Sequence, residues 1–157
     1  MKMALLILSL VIVVFGPTLP AGAEDVWPSW RGLRGDGSSP DKVVPLKWSV
    51  EKNTVWKTPL PGKGHASPIV WRDDVFVVTA VKDKRQLLCL DRRTGKVKWS
   101  ETVLTSPQER IHRRNSLASS TPATDGEQVY VSFLDGQDMC VTAYDFKGKR
   151  QWEKRPG

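Results

Sequence analysis

Two stretches of this chain repeat each other at an interval of 54 residues, and no other feature limits the fold as strongly. Ser67-Pro68-Ile69-Val70, followed by Val75-Phe76-Val77, returns as Thr121-Pro122-Ala123-Thr124, followed by Val129-Tyr130-Val131. Pro68 and Pro122, Phe76 and Tyr130, and Asp91 and Asp145 are each 54 residues apart, while Gly95 and Gly148, and Trp99 and Trp152, are 53 apart. Self-similarity at such a period marks a repeat architecture, in which each unit buries its faces only against its neighbours. Each copy reads as four short strands: one after the Ser/Thr-Pro, one at the Val-aromatic-Val, one ending in the Asp and one ending at the Trp. Arg72-Asp73-Asp74 or Asp125-Gly126-Glu127, and then the Asp-to-Gly segments, supply the turns between them.

The change of spacing from 54 to 53 falls within one hairpin. Asp91-Arg92-Arg93-Thr94-Gly95-Lys96 is one residue longer than Asp145-Phe146-Lys147-Gly148-Lys149. Both suit a turn with Gly in the left-handed position as the strand resumes, and with the Asp carboxylate accepting backbone N–H groups inside the turn. Val75-Phe76-Val77-Val78 and Leu87-Leu88-Cys89-Leu90 are continuous apolar runs, as expected of strands covered on both faces. Lys96-Val97-Lys98-Trp99 alternates, as suits an outer strand with one wet face, and its lysines discourage edge-to-edge pairing. Four-stranded units that stack radially make a β-propeller. The predicted fold is therefore all-β: an incomplete propeller with blades over 67–104 and 121–155, and no sustained helical periodicity after residue 24. Asn53 to Lys57 resembles the last strand of a further repeat, with Trp56 in the place of Trp99 and Trp152, so residues 53–60 are expected to be a closing strand. Residues 24–45, rich in Gly, Ser and Pro, read as an irregular arm packed on the outside.

Cys89-Leu90-Asp91-Arg92-Arg93-Thr94-Gly95-Lys96-Val97-Lys98-Trp99 resembles the tryptophan-docking repeat of the pyrroloquinoline-quinone (PQQ) propellers, Ala-x-Asp-x-x-Thr-Gly-x-x-x-Trp. Ala143-Tyr144-Asp145 through Gly148 to Trp152 keeps the Ala, Asp, Gly and Trp but drops one turn residue and the Thr. Trp30-Arg31-Gly32 with Gly35-Asp36-Gly37 resembles the opening of exported PQQ-like proteins of environmental bacteria, planctomycetes especially. The resemblance implies that Trp56, Trp99 and Trp152 dock between blades as packing devices of large apolar area, with Asp91, Gly95, Asp145 and Gly148 shaping the turns. It implies two functional branches. Quinoprotein dehydrogenases hold PQQ and calcium at the propeller axis. Cofactor-free members serve as scaffolds, such as the propeller lipoprotein of the outer-membrane barrel assembly machinery. The dehydrogenases' vicinal Cys-Cys pair is absent here, as is a recognisable calcium cluster. No cofactor is evident, and PQQ with calcium enters only if the full-length protein is a quinoprotein.

The first residues read as an export signal: Met1-Lys2-Met3, then an apolar run from Ala4 to Phe15, then Ala21-Gly22-Ala23, after which a signal peptidase would cut. That run is shorter than the ~20 residues that span a bilayer. The expected mature chain starts at Glu24 and is soluble in the periplasm or beyond. Cys89 and Cys140 lie in predicted strands of different repeats and read as buried thiols packed as small hydrophobes. The balance is basic, 24 Lys and Arg against 17 Asp and Glu. The cations are spread through turns such as Arg92-Arg93 and Lys149-Arg150, and export removes the usual nucleic-acid partners, so most of the charge reads as solvated surface. Propellers have ~4–8 blades, and 157 residues supply two and a strand. The rest is expected from a longer chain or from oligomerisation.

One irregularity points to function. The connection from Trp56 to Pro68 is 12 residues and that from Trp99 to Pro122 is 23, the extra length being Ser106 to Ser116. A lengthened loop with consecutive titratable or cationic side chains is a candidate site. Gly62-Lys63-Gly64-His65-Ala66, on the preceding connection, is expected to face it. His65, His112, Arg113, Arg114 and Asn115 are therefore candidates for a polar, cationic mouth that takes an anionic or carbohydrate ligand, since forked Arg donors suit carboxylate and phosphate. A two-His metal site is disfavoured, because no carboxylate accompanies the pair at ligand-like spacing. No catalytic residue is identified. The expected function is an exported, non-catalytic scaffold with a protein or carbohydrate partner. The alternatives are the N-terminal part of a PQQ-dependent alcohol or sugar dehydrogenase and a polysaccharide-binding or sensor domain.

Overall fold

Apolar runs bounded by turn residues become strands here, and the ladder rows carry the repeat. The computed structural model describes residues 25–42, 44–107 and 110–156. The expected signal segment, with its cut after Ala23, lies outside them, as do Gln108 and Glu109 of the long connection. Nine strands occur in the described residues: β1 (Val26–Trp27), β2 (Ile69–Trp71), β3 (Asp74–Val81), β4 (Lys84–Asp91), β5 (Val97–Thr105), β6 (Ala123–Thr124), β7 (Gln128–Asp135), β8 (Asp138–Asp145) and β9 (Arg150–Lys154). They form two antiparallel sheets, in the orders β1-β2-β3-β4-β5 and β6-β7-β8-β9. Ile69, Phe76, Cys89 and Trp99 pair in one row across the first sheet. Ala123, Tyr130, Ala143 and Trp152 make the matching row of the second. One bulge also matches, falling after Cys89 and after Ala143, while the first blade has a second after Arg85. The two sheets are neighbouring blades of an all-β propeller that does not close within the described residues.

Side chains alternate across a strand, so each blade offers two faces. Phe76, Val78, Leu87 and Cys89 of the first blade meet Val129, Val131, Phe133, Cys140 and Tyr144 of the second in one core. Val75, Val77, Leu88 and Leu90 form a separate cluster on the opposite face of the first blade. Both cysteines are buried and unpaired, and burial among apolar groups pushes the Cys89 thiol well above its ordinary pKa, with the nearby Asp74 carboxylate adding to the effect. The outer strand β5 is mostly exposed without alternating, Val97 included, and is buried only at Val103 and Leu104.

The junction between blades is made by tryptophan. Trp99 Nε1 donates to the carbonyl of Phe146 (2.9 Å) in the β8–β9 turn of the next blade, and its ring lies on Gly148, where a Cβ would stand 3.0 Å from the indole. Trp56 makes the same contact one repeat earlier: its Nε1 donates to Arg92 O (2.7 Å) and its ring covers Gly95. Phe76 completes the junction, 5.9 Å from Trp99 and edge-on to Phe146 at 5.2 Å. Gly95 and Gly148 have φ of 70° and 85°, the left-handed conformation expected of them. Asp91 Oδ1 accepts from Arg93 N, Thr94 N and Thr94 Oγ1, and Asp145 Oδ1 from Lys147 N and Lys149 N. The Thr94 contacts hold the Asp91 carboxyl below its ordinary pKa.

Three further details differ from the sequence expectation. The final strand of the first blade does not end at its tryptophan: Trp99 is its third residue and β5 runs on to Thr105, because β4 offers ladder partners as far as Lys84. Residues 24–45 are not wholly irregular or external, since Val26 and Trp27 pair with Trp71 and Val70 at the edge of the sheet opposite β5. That segment also links the blades: Arg72 N donates to Asp25 O (3.0 Å) and Thr124 N to Pro28 O (2.9 Å). Residues 54–60 form no strand among the described residues. A strand needs a neighbour to complete its ladder, and this segment instead lies along the turn of the first blade, where Thr58 Oγ1 donates to Gly95 O (2.7 Å).

Two measurements test these contacts. Gly95→Ala adds left-handed strain and overlap with the Trp56 ring and the Thr58 hydroxyl, so urea unfolding should show a loss of about 2–4 kcal/mol; in a Trp56→Ala/Thr58→Ala background the further loss should fall to about 1–2 kcal/mol, the strain alone. Asp125 supplies a pH dependence. The Tyr130 hydroxyl (2.6 Å) and then the Gln128 and Glu127 amides hold its carboxyl at about 2, against 3.8. The folded value is the lower one, so the carboxylate stabilises the fold above the unfolded pKa and this contribution is lost as pH falls through the folded pKa. Tyr130→Phe should flatten the acid-unfolding curve between about pH 4 and about pH 2.

Candidate functional site

The segments that lead into the two blades meet beside each other. Lys63 pairs with Ala80 at the end of β3, N to O 3.0 Å and O to N 2.8 Å. His65 N and Ala66 N both donate to Ala118 O (2.9 and 3.2 Å), and Ser67 N donates to Thr121 Oγ1 (3.1 Å), its counterpart one repeat later. The long connection therefore does face the 62–66 segment. Its described residues, 106–107 and 110–122, carry no strand.

A cleft of about 470 Å³ opens between residues 62–63, 80–82 and 111–117. Of the residues singled out from the sequence, His112, Arg113 and Asn115 line it, and Lys63 and Lys82 join them. His65 and Arg114 are exposed and stand outside the lining. The loop is braced from within. Asn115 N donates to His112 O (2.8 Å), Arg114 N donates to His112 Nδ1 (3.3 Å), and Asn115 Oδ1 accepts from Ser116 N (2.9 Å) and from the Ser119 hydroxyl. Ala118, fully buried, pins the loop to the core. Ile111 and Leu117 supply apolar wall.

The residue that holds the start of this connection escaped the sequence reading. Arg85 in β4 is fully buried, and its guanidinium donates to the carbonyls of Asp83 (3.0 Å), Ser106 (3.0 Å) and Pro107 (3.2 Å). Close by, the Ser106 hydroxyl and then Arg155 (2.7 Å) hold the Asp135 carboxyl below its ordinary pKa. A signal was available. The 54-residue offset sets Arg85 against Met139, so a position that is apolar in one copy carries a cation in the other. Lys82 was also passed over. It occupies the β3–β4 turn at φ 54°, where the second copy has Gly136 at φ 68°.

Among the described residues no group of three or more His, Cys, Asp or Glu is placed to hold a metal ion. No helix among them is long and apolar enough to cross a membrane. Residues 41–156 match the family described as outer membrane protein assembly factor BamB. No curated protein matches the chain. Several solved structures resemble it in part, among them two dehydrogenases. One is a quinohemoprotein alcohol dehydrogenase from Pseudomonas putida HK5, 26% identical over 56% of this chain and 12% of that one, with a TM-score of 0.42. The other is a europium-containing methanol dehydrogenase, 21% identical over 64% of this chain and 19% of that one, with a TM-score of 0.46. The chain thus spans only a small part of either.

The brace at Arg85 has a measurable consequence. Arg85→Met keeps the volume but removes the donor from the carbonyls of Ser106 and Pro107, while Asp83 O keeps the Ser106 amide, a loss of about 1–3 kcal/mol. Hydrogen exchange at the Ser106 amide, bonded to Asp83 O at 2.9 Å, should accelerate more than exchange in β3, and equal acceleration in both would place the effect in the whole blade instead.

Proposed function

Because the chain belongs to the family of PQQ-like repeat proteins described as outer membrane protein assembly factor BamB, we propose that it serves outside the cytoplasm as a non-catalytic scaffold. Its blades stack through their side chains and hold a protein or carbohydrate partner on the face where the connecting segments meet. The observation that carries this reading is the cleft at 62–63, 80–82 and 111–117. One wall is tied to β3 by the Lys63–Ala80 backbone bonds, and Lys63, Lys82, His112, Arg113 and Asn115 are exposed, with no carboxylate in the lining. A rigid platform that presents side chains from its loops is suited to recognition.

The competing reading, that the chain is part of a quinoprotein, meets the scaffold reading in one assay. The full chain is incubated with PQQ and calcium, then offered primary alcohols and sugars with an artificial electron-accepting dye. No dye reduction above the protein-free control is expected. Protein-dependent turnover would end the scaffold reading.

A further inference from the structure

The cleft contains more information about its ligand than its charge alone. We propose that it selects a ligand bearing oxyanion groups over a neutral one, an inference that rests on the scaffold reading and names the ligand chemistry of that same site. Lys63, Lys82 and Arg113 line the cleft, and their side chains are donors with no acceptor. The three lining residues that could have offered acceptors have them engaged within the loop. Ser116 is buried, and its Oγ takes the Ala118 amide (3.3 Å). Asn115 Oδ1 takes the Ser116 amide and the Ser119 hydroxyl, which leaves the Nδ2 hydrogens for a ligand. His112 Nδ1 takes the Arg114 amide, so the neutral ring carries its proton on Nε2 and presents a donor there, as the protonated ring also would.

All five side chains therefore ask for acceptors. A sugar hydroxyl donates as well as accepts, and here its proton would find no side-chain partner, an unmade bond that works against binding. A phosphate, sulfate or carboxylate accepts at every oxygen and matches both the donors and the charge. The backbone keeps this set in place: Lys63 is tied to Ala80 in both directions, and Lys82 sits in a tight turn with φ 54°. The five residues are exposed, so the attraction is screened by salt.

Calorimetric titration of the full chain tests this with four probes: inorganic phosphate, inorganic sulfate, an oligogalacturonate and a neutral cello-oligosaccharide. At least one charged probe should bind and the neutral one should not. Phosphate or sulfate without the oligogalacturonate would identify a small free oxyanion, and the reverse an acidic sugar chain. Lys82→Ala and Arg113→Gln should each weaken binding about three- to tenfold. Lys147→Ala removes the same charge from the exposed β8–β9 turn at the other end of the blade, and it should leave binding unchanged. Equal binding of the neutral probe, no binding of any charged probe, or a loss in Lys147→Ala equal to that in Lys82→Ala would each overturn the assignment. The near-ultraviolet circular dichroism of the variants, expected to match that of the unaltered chain, separates lost contacts from lost folding. Quinone-dependent turnover would remove the scaffold reading and leave the anion selectivity standing, whereas failed selectivity would leave the scaffold reading standing.

Discussion

An indole ring can lie flat against backbone only where that backbone carries no side chain, and this chain meets the condition at successive junctions. Trp56 lies on Gly95 and Trp99 on Gly148. Each indole N–H also donates to a carbonyl of the same turn, Arg92 in one case and Phe146 in the other. The glycine thus has two tasks, since it takes the left-handed conformation that ends the Asp turn and leaves room for the ring. The apolar core between the blades depends on this contact. Phe76 packs against both Trp99 and Phe146, so the indole, the turn and the first residue row of the sheet are fixed together.

That junction also explains why the cleft lies among the connections. Both faces of β3 and β4 are taken up by packing, which leaves the segments between blades to carry polar chemistry. They are not loose. Backbone bonds tie 63 to 80, 65–66 to 118 and 67 to 121, and the buried Arg85 guanidinium gathers the carbonyls of 106 and 107. A cationic side chain inside a sheet costs free energy unless it is hydrogen-bonded, and here the terminal guanidinium nitrogens are taken by carbonyls of the β3–β4 turn and of the connection.

Much of this was legible in the residues. The 54-residue interval placed the strands, and the Asp and Gly of each hairpin announced both the carboxylate-capped turn and the left-handed glycine. What escaped has physical reasons. β5 continues through Ser100-Glu101-Thr102, a polar run whose strand character comes from its ladder with β4 and not from its own pattern. Val26-Trp27 is too short to show periodicity at all. In the loop, sequence proximity grouped Arg114 with His112 and Arg113, but turns separate neighbours: Arg114 and His65 stand outside the cleft, and Lys63 and Lys82 line it from other segments. Arg85 read as one more solvated cation because burial is a property of the assembled sheets.

The tryptophan contacts run in one direction along the chain, each indole reaching forward to a turn not yet made: 36 residues on for Trp56 and 47 for Trp99. During synthesis from the N-terminus, the first blade is capped by Trp56 as soon as its own last turn emerges. Its other face must wait for Phe146 and Gly148. At ordinary elongation rates that wait is roughly 2–9 s, during which the side of the blade bearing Phe76, Leu87 and Cys89 has no partner from the same chain. Assembly is thereby ordered in time, and the interval defines when a nascent chain is most open to a chaperone or to a neighbour of its own kind.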